Sequence, residues 1–278
     1  MNNLTVRTIS CVVFAAVMIG GILFNSVAYG ALFLVIMSVA MQEFMTVCME
    51  GRYVFQQKMS VFAAACFFVT LLCHSVYGID LRWSCIALVP IMAIPVSVVF
   101  RKEHAVFENI SYCYAALLYI GVPLTLSQFL VFRNDGTFSG TVLLSVFILV
   151  WMCDVGAYCL GSALGQRPGA RKLAPAISPK KSWIGAAGGT VFTLATAVAV
   201  YFIYGRQYLP LWCWIAIAAA VTTVGVYGDL FESLIKRHAN VKDSGNVIPG
   251  HGGVMDRFDD VLFVMPVVAI ILIIQSLI

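Results

Sequence analysis

Residues 141–165 read TVLLSVFILVWMCDVGAYCLGSALG, and this stretch decides the fold. Thirteen residues pass without a charge before Asp154, and no second charge follows up to Gly165. A hydrocarbon core about 30 Å thick needs about 20 apolar residues of helix to cross it. Backbone groups must find their partners within the segment there, so a helix is the expected spanning element. The stretch is therefore read as a membrane helix with one carboxylate inside it. Such a group is costly in lipid and faces the bundle interior or a watery cavity. Tyr158 lies one helical turn from Asp154, on the same face.

The rest of the chain agrees with this segment. Of 278 residues, 61% are apolar and 11% charged, with a mean hydropathy of +0.94. Soluble domains carry about 25% charged residues, so a water-soluble enzyme, a disordered tail and a nucleic-acid-binding domain are excluded. The pattern predicts an all-α integral membrane protein, a polytopic bundle of about nine transmembrane helices with a cytoplasmic-facing polar cavity. The spans are expected near 8–24, 27–48, 60–78, 83–100, 108–131, 141–165, 183–204, 209–235 and 260–278. The first two form a hairpin around Asn25-Ser26, and the first is read as an uncleaved helix rather than a signal peptide. Residues 1–140 are expected to form an amino-terminal scaffold of five spans, and 141–278 a catalytic region of four.

With nine spans, 14 of the 17 Lys and Arg residues fall on the amino-terminal side of the membrane. Positive charge favours the cytoplasmic side, so the amino terminus and the long polar loops are expected to be cytoplasmic in a multi-pass cell-membrane protein. Nine cysteines, an odd number, lie almost all inside apolar runs with no CxxC spacing. They read as small buried hydrophobes rather than as a disulfide or zinc framework.

Polarity is concentrated in two loops, 166–182 and 236–259. Beside them, Asp229, Ser233 and Lys236 follow spacings of four and three, with Glu232 near the same face. Asp259 and Asp260 lie three and four residues after Asp256, on one face if the last helix begins there. The second loop holds Pro249, Gly250, Gly252 and Gly253 around His251, flanked by Asp243 and Asp256. Carboxylates suit Mg²⁺, which takes oxygen ligands and often bridges to phosphates, and nearby Lys and Arg suit phosphate oxygens. The combination points to phosphoryl chemistry at a membrane surface. Glu43 and His74 stand alone on apolar or small-residue faces and read as packing or interhelical hydrogen-bonding groups. Ala157, Gly161 and Gly165, like Gly185 and Gly189, repeat small residues every fourth position. Close packing within one chain explains them, and a homodimer through the same faces is the alternative.

At Ser233–Asp259, SLIKRHANVKDSGNVIPGHGGVMDRFD, the chain resembles the phosphatidate cytidylyltransferases (CDP-diacylglycerol synthases). The likeness extends to Asp154 with Gly156-Ala157-Tyr158, and to Ser178-Pro179-Lys180-Lys181-Ser182-Trp183. In the amino-terminal half it is limited to the span pattern and to Glu43-Phe44. The sequence departs from the family at Ile184, where Glu is usual, and in a longer GQRPGAR segment before Lys172. The resemblance implies transfer of a cytidylyl group from CTP to phosphatidic acid, giving CDP-diacylglycerol and pyrophosphate in phospholipid synthesis, with Mg²⁺ and room for a second metal or a monovalent cation. It implies Asp229 and Asp256 as metal ligands, supported by Asp243 and Asp259. Lys180, Lys181, Lys236, Arg237, Lys242 and Arg257 would hold the triphosphate and the lipid phosphate. His251 with the amides of Gly252 and Gly253 would line the phosphate pocket, Asp154 would orient a lysine, and Ser178 would join the substrate site. CTP, phosphatidic acid and membrane lipids are the implied partners. Two rivals remain at this point. One is a transporter or channel, where buried carboxylates mark an ion path, and the other a CTP-dependent lipid kinase.

Overall fold

A computed structural model describes residues 3–100, 106–133, 135–248, 250 and 252–277, with side chains from residue 8 onward. The helices, in chain order, are α1 (Asn3–Phe24), α2 (Ser26–Met49), α3 (Val54–Tyr77), α4 (Leu81–Val96), α5 (Val106–Leu130), α6 (Thr141–Ala163), α7 (Trp183–Ile203), α8 (Leu211–His238) and α9 (Asp259–Leu277). Among the described residues, seven helices, α2, α3 and α5–α9, are long and apolar enough to cross a membrane. The protein is an all-α polytopic membrane protein, and the one sheet among the described residues is a two-stranded hairpin, β1 (Lys172–Ala174) with β2 (Ser178–Ser182).

All nine expected spans coincide with helices, but α4 falls short of a full crossing. The shortness of α4 has a cause in its sequence. It opens as a 3₁₀ segment over Leu81–Ala87, and Pro90 and Pro95 lie in its remaining turns. Proline has no N–H to donate and crowds the preceding turn, so the helix stops at Val96 instead of running to residue 100. The hairpin expected at Asn25 is present. The Asn25 side chain accepts the Ala28 N–H at 2.7 Å and so caps α2, as short polar residues do at helix starts.

The chain divides into two compact units. The first comprises Met1–Gln128, Phe132–Ser139 and Ala239–Arg257. Its core is built from Tyr29, Phe33, Met37, Met41 and Phe68, all fully buried. A few polar groups link its apolar helices: Tyr29 Oη with Ser127 Oγ at 2.5 Å, Ser60 Oγ to the Cys113 carbonyl at 2.8 Å, and Gln128 Nε2 to the Phe68 carbonyl at 2.9 Å. Between apolar helices such bonds contribute about 0.6–2 kcal/mol each.

The second unit comprises Phe129–Val131, Gly140–His238 and Phe258–Ile278. Its most extensive helix contact is between α6 and α7. Trp214 and Phe258 are fully buried, and Phe258 meets Phe147 edge-on at 5.7 Å. The hairpin pairs Lys172 with Ser182 and Ala174 with Ser178, with a bulge between.

Candidate functional site

In the second unit, α6 and α7 approach backbone to backbone. A Cβ added at Gly156 would lie 2.6 Å from the Gly188 carbonyl oxygen, and one at Gly188 equally close to that of Gly156. Gly189 backs onto the Cys153 carbonyl in the same way. The two small-residue faces, open in sequence between dimerisation and packing, meet each other within this chain. Small residues at such a crossing let helix backbones approach closely. The contact sets Asp154 of α6 beside the hairpin that precedes α7. Ser182 ends β2 and caps α7, its Oγ accepting the Gly185 N–H at 3.1 Å. The long segment before Lys172 is tied down by three bonds. Lys172 Nζ donates to the Gly165 carbonyl at 2.9 Å and to Gln166 Oε1 at 2.7 Å, and Gln166 Nε2 donates to the Lys180 carbonyl at 2.8 Å.

Asp229 reaches the same place from α8. This helix contains a π turn at Val221–Gly225, a widening that re-registers the residues after it and recurs at functional sites. One residue before Asp229, Gly228 lets α9 come close: a Cβ there would lie 2.5 Å from the Asp259 carbonyl oxygen. Asp229, Asp259 and Asp260 consequently each offer a carboxylate oxygen within 4.8 Å of the others. At that spacing each ionised pair repels by about 3 kcal/mol at an effective dielectric of about 20. Lys181 Nζ forms an ion pair with Asp229, whose Oδ1 also accepts from Ser233 Oγ at 3.3 Å. Asp260 Oδ1 is buried with no hydrogen-bond partner among the described residues. Three carboxylates with one lysine and an unanswered buried oxygen fit a hard divalent cation, which takes oxygen ligands. Asp229 and Asp260 border a cavity of about 470 Å³ whose walls also include Asp154, Tyr158, Lys180 and Lys181. That volume lies within the range of small-molecule sites, roughly 300–1,000 Å³.

The glycine loop belongs to the first unit. Asp256 Oδ2 accepts the backbone N–H groups of Ser244 at 3.0 Å and Gly253 at 2.8 Å. Gly252 has φ +85°, and a Cβ there would lie 2.5 Å from Asp256 Oδ2 and 3.4 Å from the Asp243 Cβ. Lys242, Asp243 and Arg257 are exposed. His251 lies outside the described residues.

The structure thus gathers Asp154, Lys180, Lys181, Asp229 and Asp259 in one unit and Asp243, Asp256, Gly252 and Gly253 in the other. The amide of Gly253, expected to line a phosphate pocket, donates to Asp256. Lys236, expected on the Asp229 face, pairs with Glu232 at 2.5 Å. Arg237 is exposed in the last turn of α8, and Ser178 is half-buried opposite Ala174.

The model of the family described as "Cytidylyltransferase family" matches residues 5–275. The chain belongs to the cytidylyltransferase family. It is 38% identical over 181 residues to a phosphatidate cytidylyltransferase of Bacillus subtilis, covering 65% of each chain. It is 36% identical over 175 residues to one of Staphylococcus haemolyticus, covering 63% of this chain and 64% of the relative. The chain therefore spans just under two thirds of the length of these curated relatives.

Sequence reading of this cytidylyltransferase-family chain leaves some site residues without a role. It puts Asp260 on the acidic face but not among the metal ligands. The available signal is its position in the first turn of a helix, where neighbouring side chains can converge on one point beyond the helix end. It also leaves out Gln166 and Lys172, which fasten the Lys180 strand, and it has no signal for the contacts of Glu43 across more than 200 residues of chain.

Proposed function

We propose that this protein transfers the cytidylyl group of CTP to phosphatidic acid, forming CDP-diacylglycerol and pyrophosphate in phospholipid synthesis. The observation that supports this reading is the convergence of Asp229, Asp259 and Asp260 beside Lys181, within helices built for a membrane. A water-soluble nucleotide and a lipid could both reach such a place.

The chemistry asks little of a general base. The phosphate of phosphatidic acid is already an anion, and one of its oxygens would attack the α-phosphorus of CTP in line while pyrophosphate leaves. The obstacle is the approach of two polyanions. Lys180 and Lys181 supply positive charge on a strand fastened by Gln166, and preorganised cations of this kind act where charge accumulates in the transition state. The ion pair with Asp229 holds the Lys181 ammonium at a fixed point, and Asp154 lines the same cavity. A Mg²⁺ held by Asp229, Asp259 and Asp260 would neutralise charge on the triphosphate and on the departing pyrophosphate.

From the family resemblance, Asp243 and Asp256 are proposed as further metal or metal-supporting groups. Ser178, Lys236, Arg237, Lys242, His251, Arg257 and the Gly252-Gly253 pair are proposed to contribute to substrate binding. Residues 141–278 are proposed to carry most of the chemistry and 1–140 to act as scaffold. The bias of basic residues supports a cytoplasmic amino terminus and cytoplasmic polar loops, with lipid tails entering between helices. The test is to purify the protein in detergent and supply CTP, phosphatidic acid and Mg²⁺. Formation of CDP-diacylglycerol with equimolar pyrophosphate is expected, and a lipid pool left unchanged would overturn the reading.

A further inference from the structure

Glu43, in α2, reads in sequence as a lone packing carboxylate. In the structure it is 8% exposed, and backbone donors of the glycine loop converge on it. Oε1 accepts the Val254 N–H at 3.0 Å, and Oε2 accepts the Met255 N–H at 2.8 Å and the Ser244 hydroxyl at 3.4 Å. The loop is shaped around this carboxylate. A Cβ at Gly245 would collide with Glu43 Oε1, and one at Gly253 with Glu43 Oε2 and Ser244 Oγ. Ser244 joins Glu43 to a second carboxylate, since its N–H donates to Asp256 Oδ2, which also holds Gly253. Two acidic side chains therefore take up four loop donors: the backbone N–H groups of Ser244, Gly253, Val254 and Met255.

We propose that Glu43 is a positioning residue for the glycine loop: an internal carboxylate that occupies backbone donors a phosphate would otherwise use, and so fixes how Asp256 and Arg257 are presented. On this view Gly245, Gly252 and Gly253 are glycines because carboxylates press on the backbone there. Phosphate recognition then rests mainly on lysine and arginine side chains, because the amides of Ser244, Gly253, Val254 and Met255 are held by carboxylates. Both Glu43 oxygens are engaged by the loop, so Glu43 acts through the loop and is not a proton acceptor in the reaction. The catalytic part of this inference rests on the proposed cytidylyl transfer; the brace itself does not.

The test uses the full chain in detergent. Amide hydrogen exchange over 244–257 is compared among wild type, Glu43→Gln and Gly253→Ala, alongside kcat and the KM for CTP of the monodisperse, folded fraction. Glu43→Gln places an amide N–H₂ against a backbone N–H. Exchange of the loop should rise at least about tenfold, the factor that loss of a charge-assisted hydrogen bond corresponds to, with exchange in α6 unchanged. We expect kcat to fall by a similar factor while the KM for CTP moves less than about threefold, because the change lies in presentation and not in ground-state nucleotide contacts. Gly253→Ala should show the same pattern, and the double variant should lose little more than either single one. Unchanged loop exchange in Glu43→Gln overturns the brace. A normal kcat in a loosened but folded variant overturns the positioning role. Absence of cytidylyl transfer by the wild type would instead defeat the proposed function, and the exchange comparison would still decide the brace.

Discussion

Gly228→Ala separates the geometry of the acidic cluster from the mere presence of its carboxylates. The added Cβ would stand 2.5 Å from the Asp259 carbonyl oxygen and 3.2 Å from the Phe263 Cβ. Carbon atoms of this kind are essentially never found closer than 3.0 Å, so α8 and α9 must part by at least the difference, 0.5 Å, at the level of Asp229. Overpacking of this kind costs about 1–3 kcal/mol. Alanine in place of glycine returns about 1 kcal/mol of helix propensity, so the net destabilisation is on the order of 0–2 kcal/mol and the protein stays folded. Function should respond more strongly. Misplacement of reacting groups by about 1 Å can cost 10²-fold in rate, and here the three carboxylate oxygens proposed to hold a metal shift relative to each other. We expect the Mg²⁺ concentration for half-maximal turnover to rise and kcat to fall at least about tenfold on that scale. Gly20→Ala serves as a control, because a Cβ at that helical position meets nothing within 4 Å. The assay is CDP-diacylglycerol formation against Mg²⁺, with thermal stability in detergent measured in parallel. A Gly228→Ala protein with the wild-type Mg²⁺ profile would show that the close α8–α9 contact does not set the cluster.

Other predictions follow from single contacts. Asp260→Asn keeps the shape but weakens a proposed metal ligand, and should raise the Mg²⁺ requirement about 10–100-fold, on the scale seen for lost metal-site groups; titration of turnover against Mg²⁺ checks it. Lys181→Met removes the cation beside Asp229 and should lower kcat about 10²–10³-fold, as loss of a preorganised charge does, even at saturating Mg²⁺. Gln166→Ala frees the Lys180 carbonyl and one contact of Lys172. At about 1 kcal/mol per hydrogen bond, it should raise the KM for CTP several-fold with stability little changed. Chelation of divalent metal should abolish turnover and Mg²⁺ should restore it; full activity in excess chelator would remove the cluster from the chemistry.

The membrane architecture was legible because the constraint is severe: about 20 apolar residues per crossing leave a pattern that no soluble core imitates. The shortness of α4 was foreshadowed by Pro90 and Pro95, although apolar content alone favoured a full span. The small-residue faces of α6 and α7 were visible, but only coordinates could show that they meet each other. Around the site, helical spacing correctly tied Ser233 to Asp229. Lys236, read on that face with Glu232 near it, pairs with Glu232 one turn away, a local i,i+4 partner. The π turn before Asp229 left no periodic trace. Glu43 illustrates the limit best: a lone acid in an apolar helix carries no sign of partners about 210 residues away, because such contacts are made by backbone N–H groups that every sequence possesses.

The measurement that bears most directly on the central claim is the fate of the two ends of CTP. Wild-type protein in detergent is given phosphatidic acid, Mg²⁺ and CTP labelled distinguishably at the α- and γ-phosphates. Cytidylyl transfer at this site predicts α-label in the lipid and γ-label in pyrophosphate, with both signals lost in Asp229→Asn. Label from the γ-phosphate in the lipid, with the α-label left on free nucleotide, would contradict it and identify a CTP-dependent lipid kinase.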